Sequence, residues 1–281
     1  MNNFNNLNHL IESAIYEDTI DIGDITSEAI FSDELYSYKL VAKESGVLCG
    51  IDIFIAVMKY VDDKIEVKKL FNDRDVINKG DIVAGISGRV ISILKGERTA
   101  LNFISHLSGI ATKTALFAKE AKGRVKILDT RKTLPGYREL QKYAVLCGGG
   151  ENHRIGLYDS ILIKDNHSDA AGGITPAIER VKTKWGSKYK IEVEARNIDE
   201  VKEAVKCNVD RIMLDNMSND EMKEAVDYIG GKIETEASGD MNLQRIDDVS
   251  LTGVNYISFG ELTNSVKAFD FSLKKMDMSK K

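Results

Sequence analysis

Leu7, Leu10, Ile11, Ala14 and Ile15 recur at helical spacing, so the chain opens with an amphipathic helix. A polar turn region, Glu17 to Thr26, follows. Tyr38–Lys43 has the composition of a strand, and Gly46 starts a second short one that runs through Cys49. Ile51–Val61 is apolar enough for a packed helix, and Lys64–Lys68 alternates as a half-exposed strand does. Between Asp73 and Ile93, Gly80, Gly85 and Gly88 punctuate β-branched residues, which predicts small strands joined by turns. Short strands and a few helices without regular alternation describe an α+β module.

The character then changes. Ala100, Phe103, Ile104, Leu107, Ile110, Ala111 and Ala115 place one long apolar stripe on a helix over Lys95–Lys122, with Ser108-Gly109 as the point for a kink or a break. From Val125 the rhythm is strand, then helix, repeatedly. Strand-like runs fall at Lys126–Leu128, Ile161–Ile163, Lys190–Val193, Arg211–Leu214, Lys232–Glu236 and Tyr256–Ile257. Helix starts lie between them: Thr175 as N-cap with Pro176 at the first helical position, Asn197 with Glu200, and Ser218 with Glu221 at capping-box spacing. Repeated β/α units imply parallel strands, closed into a small barrel or spread as an open doubly wound sheet.

Composition narrows the class. At 281 residues, 43% hydrophobic and 30% charged, the chain can bury a sizeable core in one large domain or two smaller ones. A net charge of −5 argues against broad binding to nucleic acid. Cys49, Cys147 and Cys207 have neither CxxC spacing nor a paired framework, which suits a reducing compartment. No basic segment leads into an apolar run at the N-terminus, and no run approaches a membrane span of roughly 20 residues. A cytoplasmic protein without membrane contact is the expectation.

Each apolar run of the second half ends in polar chemistry: Asp129, Arg131 and Lys132; Lys164 and Asp165; Glu194; Asp215 and Asn216; Glu236, Ser238 and Gly239; Ser258 and Gly260. In a β/α barrel such strand ends converge on the rim where catalysis takes place. Between the first two runs lie Gly148-Gly149-Gly150 and His153-Arg154. Taken singly, each has a plain reading. Arg131-Lys132 is a solvated turn, the glycine run a helix stop, and Glu192, Glu194 and Arg196 one exposed face of an edge strand. Their periodic recurrence is not explained that way. Arg131, Lys132, Arg154, Lys164 and His153 would hold a multiply charged anion, and Glu194 with Asp215 would hold hydroxyls or a hard cation such as Mg²⁺. Ser238-Gly239 and Ser258-Phe259-Gly260 have the form of loops whose backbone N–H groups bind a phosphate.

At these residues the sequence resembles the quinolinate phosphoribosyltransferase family. The matching stretches include Gly96-Glu97-Arg98-Thr99-Ala100-Leu101-Asn102, Asp129-Thr130-Arg131-Lys132-Thr133 with Pro135-Gly136, and Gly148-Gly149-Gly150 with Asn152-His153-Arg154. Ile163-Lys164-Asp165-Asn166-His167, Glu192-Val193-Glu194, Leu214-Asp215-Asn216 and Glu236-Ala237-Ser238-Gly239 continue the match. The resemblance implies an α/β fold of the type II phosphoribosyltransferase kind: an N-terminal α/β sandwich over 1–112, joined by the C-terminal tail 265–281, and an open, incomplete β/α barrel over 113–264. It implies transfer of phosphoribose from 5-phosphoribosyl 1-pyrophosphate to quinolinate with decarboxylation, Mg²⁺ as cofactor, and a homodimer in which Arg98 reaches the partner's site. Lys132, Lys164, Glu194 and Asp215 take the catalytic positions. Arg98, Arg131, Lys132, Thr133, His153, Arg154 and Lys164 match the anion-binding positions. Glu194 and Asp215 match the carboxylates that face ribose and metal. Ser238, Gly239, Asp240, Phe259, Gly260 and Glu261 match the 5-phosphate cradle.

Leu134, Asp240, Phe259, Glu261 and Asn264 depart from the family pattern, and all but Leu134 lie by that cradle. Three rival readings share much of the pattern: a related family associated with molybdenum transport, nicotinate phosphoribosyltransferase, and a non-catalytic sensor of phosphoribosyl ligands. The intact Gly-Gly-Gly-Glu-Asn-His-Arg and Ile-Lys-Asp-Asn-His blocks favour quinolinate chemistry over the first. The pyridine acid that turns over separates the second. Retention of Glu194 and Asp215 beside the full cation set argues against the third.

Overall fold

The computed structural model describes residues 4–276. In chain order its first elements are α1 (Leu7–Thr19), α2 (Ile25–Ile30), β1 (Leu35–Ala42), β2 (Gly46–Val47) and α3 (Ile51–Val61). Next come β3 (Glu66–Lys69), β4 (Val76–Ile77), β5 (Ile82–Arg89) and α4 (Val90–Glu120). The barrel elements follow: β6 (Lys126–Leu128), α5 (Arg138–Cys147), β7 (Ile161–Ile163), α6 (Asp165–Ala171), α7 (Ile174–Trp185), β8 (Ile191–Ala195) and α8 (Ile198–Lys206). The chain ends with β9 (Arg211–Asp215), α9 (Asn219–Ile229), β10 (Glu234–Ser238), α10 (Ile246–Ser250), β11 (Tyr256–Ser258), α11 (Glu261–Asn264) and β12 (Phe271–Lys275).

These form two compact units. The first takes the described residues up to Ala115, Leu134–Gly149 and those from Ser265 onward; the second takes Leu116–Thr133 and Gly150–Asn264. The first unit carries an antiparallel sheet in the order β12-β1-β5-β3 and a small β2-β4 pair. Leu40, Ala42, Val83 and Ile86 from the sheet, with Phe54, Val57 and Met58 from α3, are fully or almost fully buried in its core. The last strand pairs Phe271 with Ala42 and Lys275 with Tyr38, so the chain's end belongs to this unit.

Some expectations change here. The region read as a polar turn holds the end of α1 and the short α2, whose N-cap Asp24 accepts the Thr26 and Ser27 N–H groups at 3.1 and 3.0 Å. The long helix starts at Val90 and runs through Ser108-Gly109 as one 31-residue element. Val90 and Ile93 are buried one turn apart, and Ser92 Oγ donates to Asp62 at 2.7 Å, which draws a β-branched run into the helix. The segment 134–149, placed above with the barrel half, packs in the first unit: Tyr137 stacks on Phe103 at 5.5 Å and Tyr143 donates to Asp73 at 2.8 Å.

The second unit is a parallel sheet in the order β6-β11-β10-β9-β8-β7. Its edge strands β6 and β7 do not pair with each other, so the barrel is open and incomplete. Outward residues Val193, Ile212, Leu214, Ala237 and Ile257 are buried under the helices. The caps of α8 and α9 form as the spacing predicts: Asn197 Oδ1 accepts the Asp199 and Glu200 N–H groups at 3.1 and 3.0 Å, and Ser218 Oγ accepts that of Glu221 at 3.3 Å. Thr175 is not an N-cap. Gly172, at φ 92°, ends α6, and α7 begins from Gly173, with the Thr175 N–H donated to Glu203 at 2.7 Å. Among the described residues no helix is long and apolar enough to cross a membrane.

Candidate active site

Asp129, just beyond β6, organises the first wall. Its fully buried carboxylate accepts the His153 N–H at 2.9 Å, and its own N–H donates to Glu151 O at 3.2 Å. The glycine-rich segment is thereby tied to the end of β6. The turn beyond Asp129 is fixed by hydrogen bonds within it and by one from α11. Lys132 N–H donates to Thr130 Oγ1 at 3.0 Å, Thr133 N–H to Arg131 O at 2.9 Å, and Thr263 Oγ1 to Lys132 O at 2.8 Å.

The result is a hollow of about 200 Å³ lined by Thr130, Arg131, Lys132, His153, Arg154, Leu162 and Lys164. Four permanent cations around so small a volume repel one another, and burial together with Arg131 pulls the Arg154 pKa down. Arg154 spends one Nη on Ser160 O at 3.3 Å, while its buried Nε has no hydrogen-bond partner among the described residues. Such a site stabilises an anion and is itself stabilised by one.

Beneath it lies a buried ionic layer. His153 Nδ1 accepts the Arg154 N–H at 2.8 Å, so the ring proton resides on Nε2, which faces Glu192 Oε2 at 3.0 Å and Glu236 Oε2 at 3.5 Å. Arg211 reaches Glu236 at 3.3 Å and Glu234 at 3.2 Å. Burial, then the neighbouring Glu192, pushes Glu236 up to about 8; burial also raises Glu192. Glu236 therefore holds its proton at neutral pH, which spares the layer an unpaired negative charge.

The rim carries the other groups. Lys164 Nζ stands 3.2 Å from Glu194 Oε1, and the Asp165 N–H donates to Glu194 Oε2 at 3.3 Å. Asp215 accepts from Asn216 Nδ2 at 2.9 Å. Asn216 is left-handed at φ 58° and donates its N–H to Ser238 O at 3.0 Å, which sets the β9 end against the Ser238-Gly239 turn. Gly239 lies at φ 86°, and a Cβ there would run into Asn216. A Cβ on Gly260 would lie 2.8 Å from Lys132 Cδ.

Of the expected set, Arg131, Lys132, His153, Arg154 and Lys164 line one hollow, and Glu194, Asp215, Ser238, Gly239 and Gly260 occupy strand ends around it. Thr133 follows Lys132 in the same turn. Asp240 is exposed at φ 42°, and Glu261 opens α11. Phe259 is corrected: its ring is buried edge-on against Phe117 at 4.9 Å and its N–H donates to Leu128 O at 3.0 Å, so neither is left for a phosphate. Arg98 lies exposed on α4 in the first unit. Glu192 is not on an edge face, since β8 is paired on both sides. Glu192 and Arg211 were not expected in the site. The available signal was charge at alternate positions of strands that a parallel sheet buries on both faces.

Two family models match the chain: quinolinate phosphoribosyl transferase, N-terminal domain, over residues 24–108, and the C-terminal domain of the same family over 110–274. The quinolinate phosphoribosyltransferase [decarboxylating] 1b of Nicotiana tabacum is 43% identical, over 95% of this chain and 82% of its own length. The probable nicotinate-nucleotide pyrophosphorylase [carboxylating] of Bacillus subtilis is 40% identical, over 95% of this chain and 92% of its own. Among solved structures, NadC from Streptococcus pyogenes superposes at a TM-score of 0.93 with 37% identity, covering 99% of this chain and 100% of that one. The nicotinate-nucleotide pyrophosphorylase of Francisella tularensis superposes at 0.92 with 39% identity, over 98% of both chains. With both halves matched in order and relatives of 40% identity or more across nearly its whole length, the chain belongs to the quinolinate phosphoribosyltransferase family.

Proposed function

We infer that the chain performs its family's reaction. It transfers phosphoribose from 5-phosphoribosyl 1-pyrophosphate to the ring nitrogen of quinolinate, with loss of carbon dioxide, giving nicotinate mononucleotide and pyrophosphate for NAD biosynthesis. The observation that carries this reading is the hollow where Arg131, Lys132, His153, Arg154 and Lys164 meet beside Glu194, with Asp215 at the end of the neighbouring strand β9. Quinolinate carries two carboxylates and the donor carries phosphates. Bringing such anions together needs fixed cations, and orientation of this kind contributes roughly 7–11 kcal/mol at best.

In this reading Arg131, His153, Arg154 and Lys164 hold the quinolinate carboxylates, and Lys132 with Lys164 balances the leaving pyrophosphate. Glu194 and Asp215 hold the ribose and stabilise the positive charge that develops at its anomeric carbon. Ser238, Gly239 and the Gly260 turn take the 5-phosphate. The ring nitrogen attacks with its own lone pair, so no general base is required. The transfer leaves that nitrogen positively charged; the charge stabilises the electron pair left on the adjacent ring carbon as carbon dioxide departs, and that carbon then takes a proton from water.

Glu194 and Asp215, partly exposed oxygen donors, fit Mg²⁺, an ion commonly held by one or two carboxylates with substrate phosphates. Bound there, it would neutralise charge on the pyrophosphate. The family resemblance supports a homodimer in which Arg98 of each subunit completes its partner's site. The free thiols suit the cytoplasm.

The test is turnover with Mg²⁺ and the phosphoribosyl donor, offering quinolinate and nicotinate separately. Mononucleotide and carbon dioxide from quinolinate alone is the expected result. Turnover of nicotinate instead, or binding of the donor without turnover of either acid, overturns it.

A further inference from the structure

Three metal-ligating side chains that the transfer reaction does not use meet inside the first unit. Cys49 precedes α3, Cys147 ends α5, and Asp73 lies on the loop between β3 and β4. One donor atom from each, two Sγ and a carboxylate oxygen, all lie within 4.8 Å of one another. Cys49 is fully buried and Cys147 is 6% exposed, yet neither is in a disulfide.

The backbone holds the three in place. Asp73 Oδ1 accepts the Gly50 and Ile51 N–H groups at 2.8 and 3.0 Å, and its Oδ2 accepts Tyr143 Oη at 2.8 Å. Arg74 N–H donates to Leu48 O at 2.9 Å, which clamps this loop to the residue before Cys49. Cys147 is held from the other side. At Gly148 a Cβ would lie 2.6 Å from Thr114 Cβ, so only glycine lets the end of α5 approach α4 so closely.

We propose that Cys49, Asp73 and Cys147 form a Zn²⁺ site separate from the transferase site. Two sulfurs and one oxygen are the donor set of a borderline-soft ion, and Mg²⁺ does not choose it. Zinc takes sulfur at about 2.3 Å and carboxylate oxygen at about 2.1 Å, so donors around one tetrahedral ion stand roughly 3.5–3.8 Å apart. A cluster already within 4.8 Å stands within roughly an ångström of that spacing. Two thiolates and a carboxylate bring three negative charges. The ion cancels two, and the Arg74 guanidinium, next in the chain to Asp73, lies near Cys147 to offset the third. Tyr143 donates to Asp73 and so orients the carboxylate toward the sulfurs.

The test uses the full chain, stripped with a chelator and titrated with Co²⁺ and then Zn²⁺. Expected are one equivalent of Co²⁺ per chain with a thiolate-to-cobalt charge-transfer band, and loss of that band on adding Zn²⁺. In the wild-type protein Zn²⁺ should also shield two thiols from a thiol reagent and leave Cys207 reactive. Cys147→Ser and Asp73→Asn should lower Zn²⁺ affinity at least tenfold, while Cys207→Ser keeps it. The carboxylate–imidazole cluster His153, Glu192 and Glu236 gives no sulfur band. Co²⁺ bound without that band overturns the proposal. So does Zn²⁺ that leaves the labelling rates of Cys49 and Cys147 the same as in the stripped protein, a readout that needs no variant to fold.

Discussion

Glu236 keeps its proton because burial, and then the neighbouring Glu192, outweigh what His153, Ser258 and Arg211 offer its charge. It is fully buried, with Glu192, His153, Arg211 and Ser258 as its polar neighbours. Its pKa of about 8 lies above the ordinary 4.5. A raised value means that the folded chain keeps a proton which the unfolded chain releases. Its stabilising contribution is therefore complete below the unfolded value and is lost as pH rises toward the folded one, at up to about 1.4 kcal/mol per pH unit. Glu192, raised by burial, acts in the same direction. Glu236→Gln keeps the shape and the donor but cannot titrate. Its melting temperature should fall less steeply than the wild type's between about pH 5 and 8; parallel curves would mean that Glu236 is ionised in the fold. On the hollow itself, Arg131→Ala should lower kcat/KM for quinolinate by well over tenfold, as loss of a charge-assisted contact does. An unchanged value removes Arg131 from the site. Arg131, Lys132 and Lys164 were legible in the sequence because they follow apolar runs. Glu192 was not, because an acidic residue alternating with Glu194 reads equally well as a solvated face until the strand's two neighbours are known.

Among the elements, the β10–α10 turn shows how backbone geometry builds the rim. Gly239 is left-handed and packed on Asn216, itself left-handed, so an added methyl must move the turn or the β9 end. Gly239→Ala should raise KM for the phosphoribosyl donor roughly tenfold and leave quinolinate binding nearly unchanged, with the strain costing on the order of 1–3 kcal/mol. Equal changes for both substrates would place the phosphate elsewhere. The strands and the caps at Asn197 and Ser218 were readable because they rest on local periodicity and local hydrogen bonds. The start of α4 was not, since Val90-Ile91-Ser92-Ile93 is strand-like by composition and becomes helical through burial and the Ser92–Asp62 contact. The Thr175-Pro176 signal failed for a related reason. Two glycines separate α6 from α7, and Glu203 claims the Thr175 N–H.

At the scale of the molecule, alternation alone left a closed barrel and an open sheet equally possible. The pairing order decides between them, with β6 beside β11 and unpaired with β7. Where 134–149 belongs was also out of reach of the sequence, because contacts such as Tyr137 on Phe103 join residues far apart in the chain. The proposed dimer makes the sharpest demand on the whole assembly. If Arg98 works across the interface, each site in the dimer takes Arg98 from one subunit and Arg154 from the other. Arg98→Ala and Arg154→Ala homodimers then both lack a complete site. Mixed one to one with free exchange, half the dimers are hybrids, and each hybrid has one intact site and one doubly defective site. Recovery should therefore approach about a quarter of wild-type activity, as two-fold symmetry dictates. If Arg98 instead serves its own subunit, every site in every hybrid carries one lesion. No activity then returns, even where mass spectrometry proves the subunits exchanged.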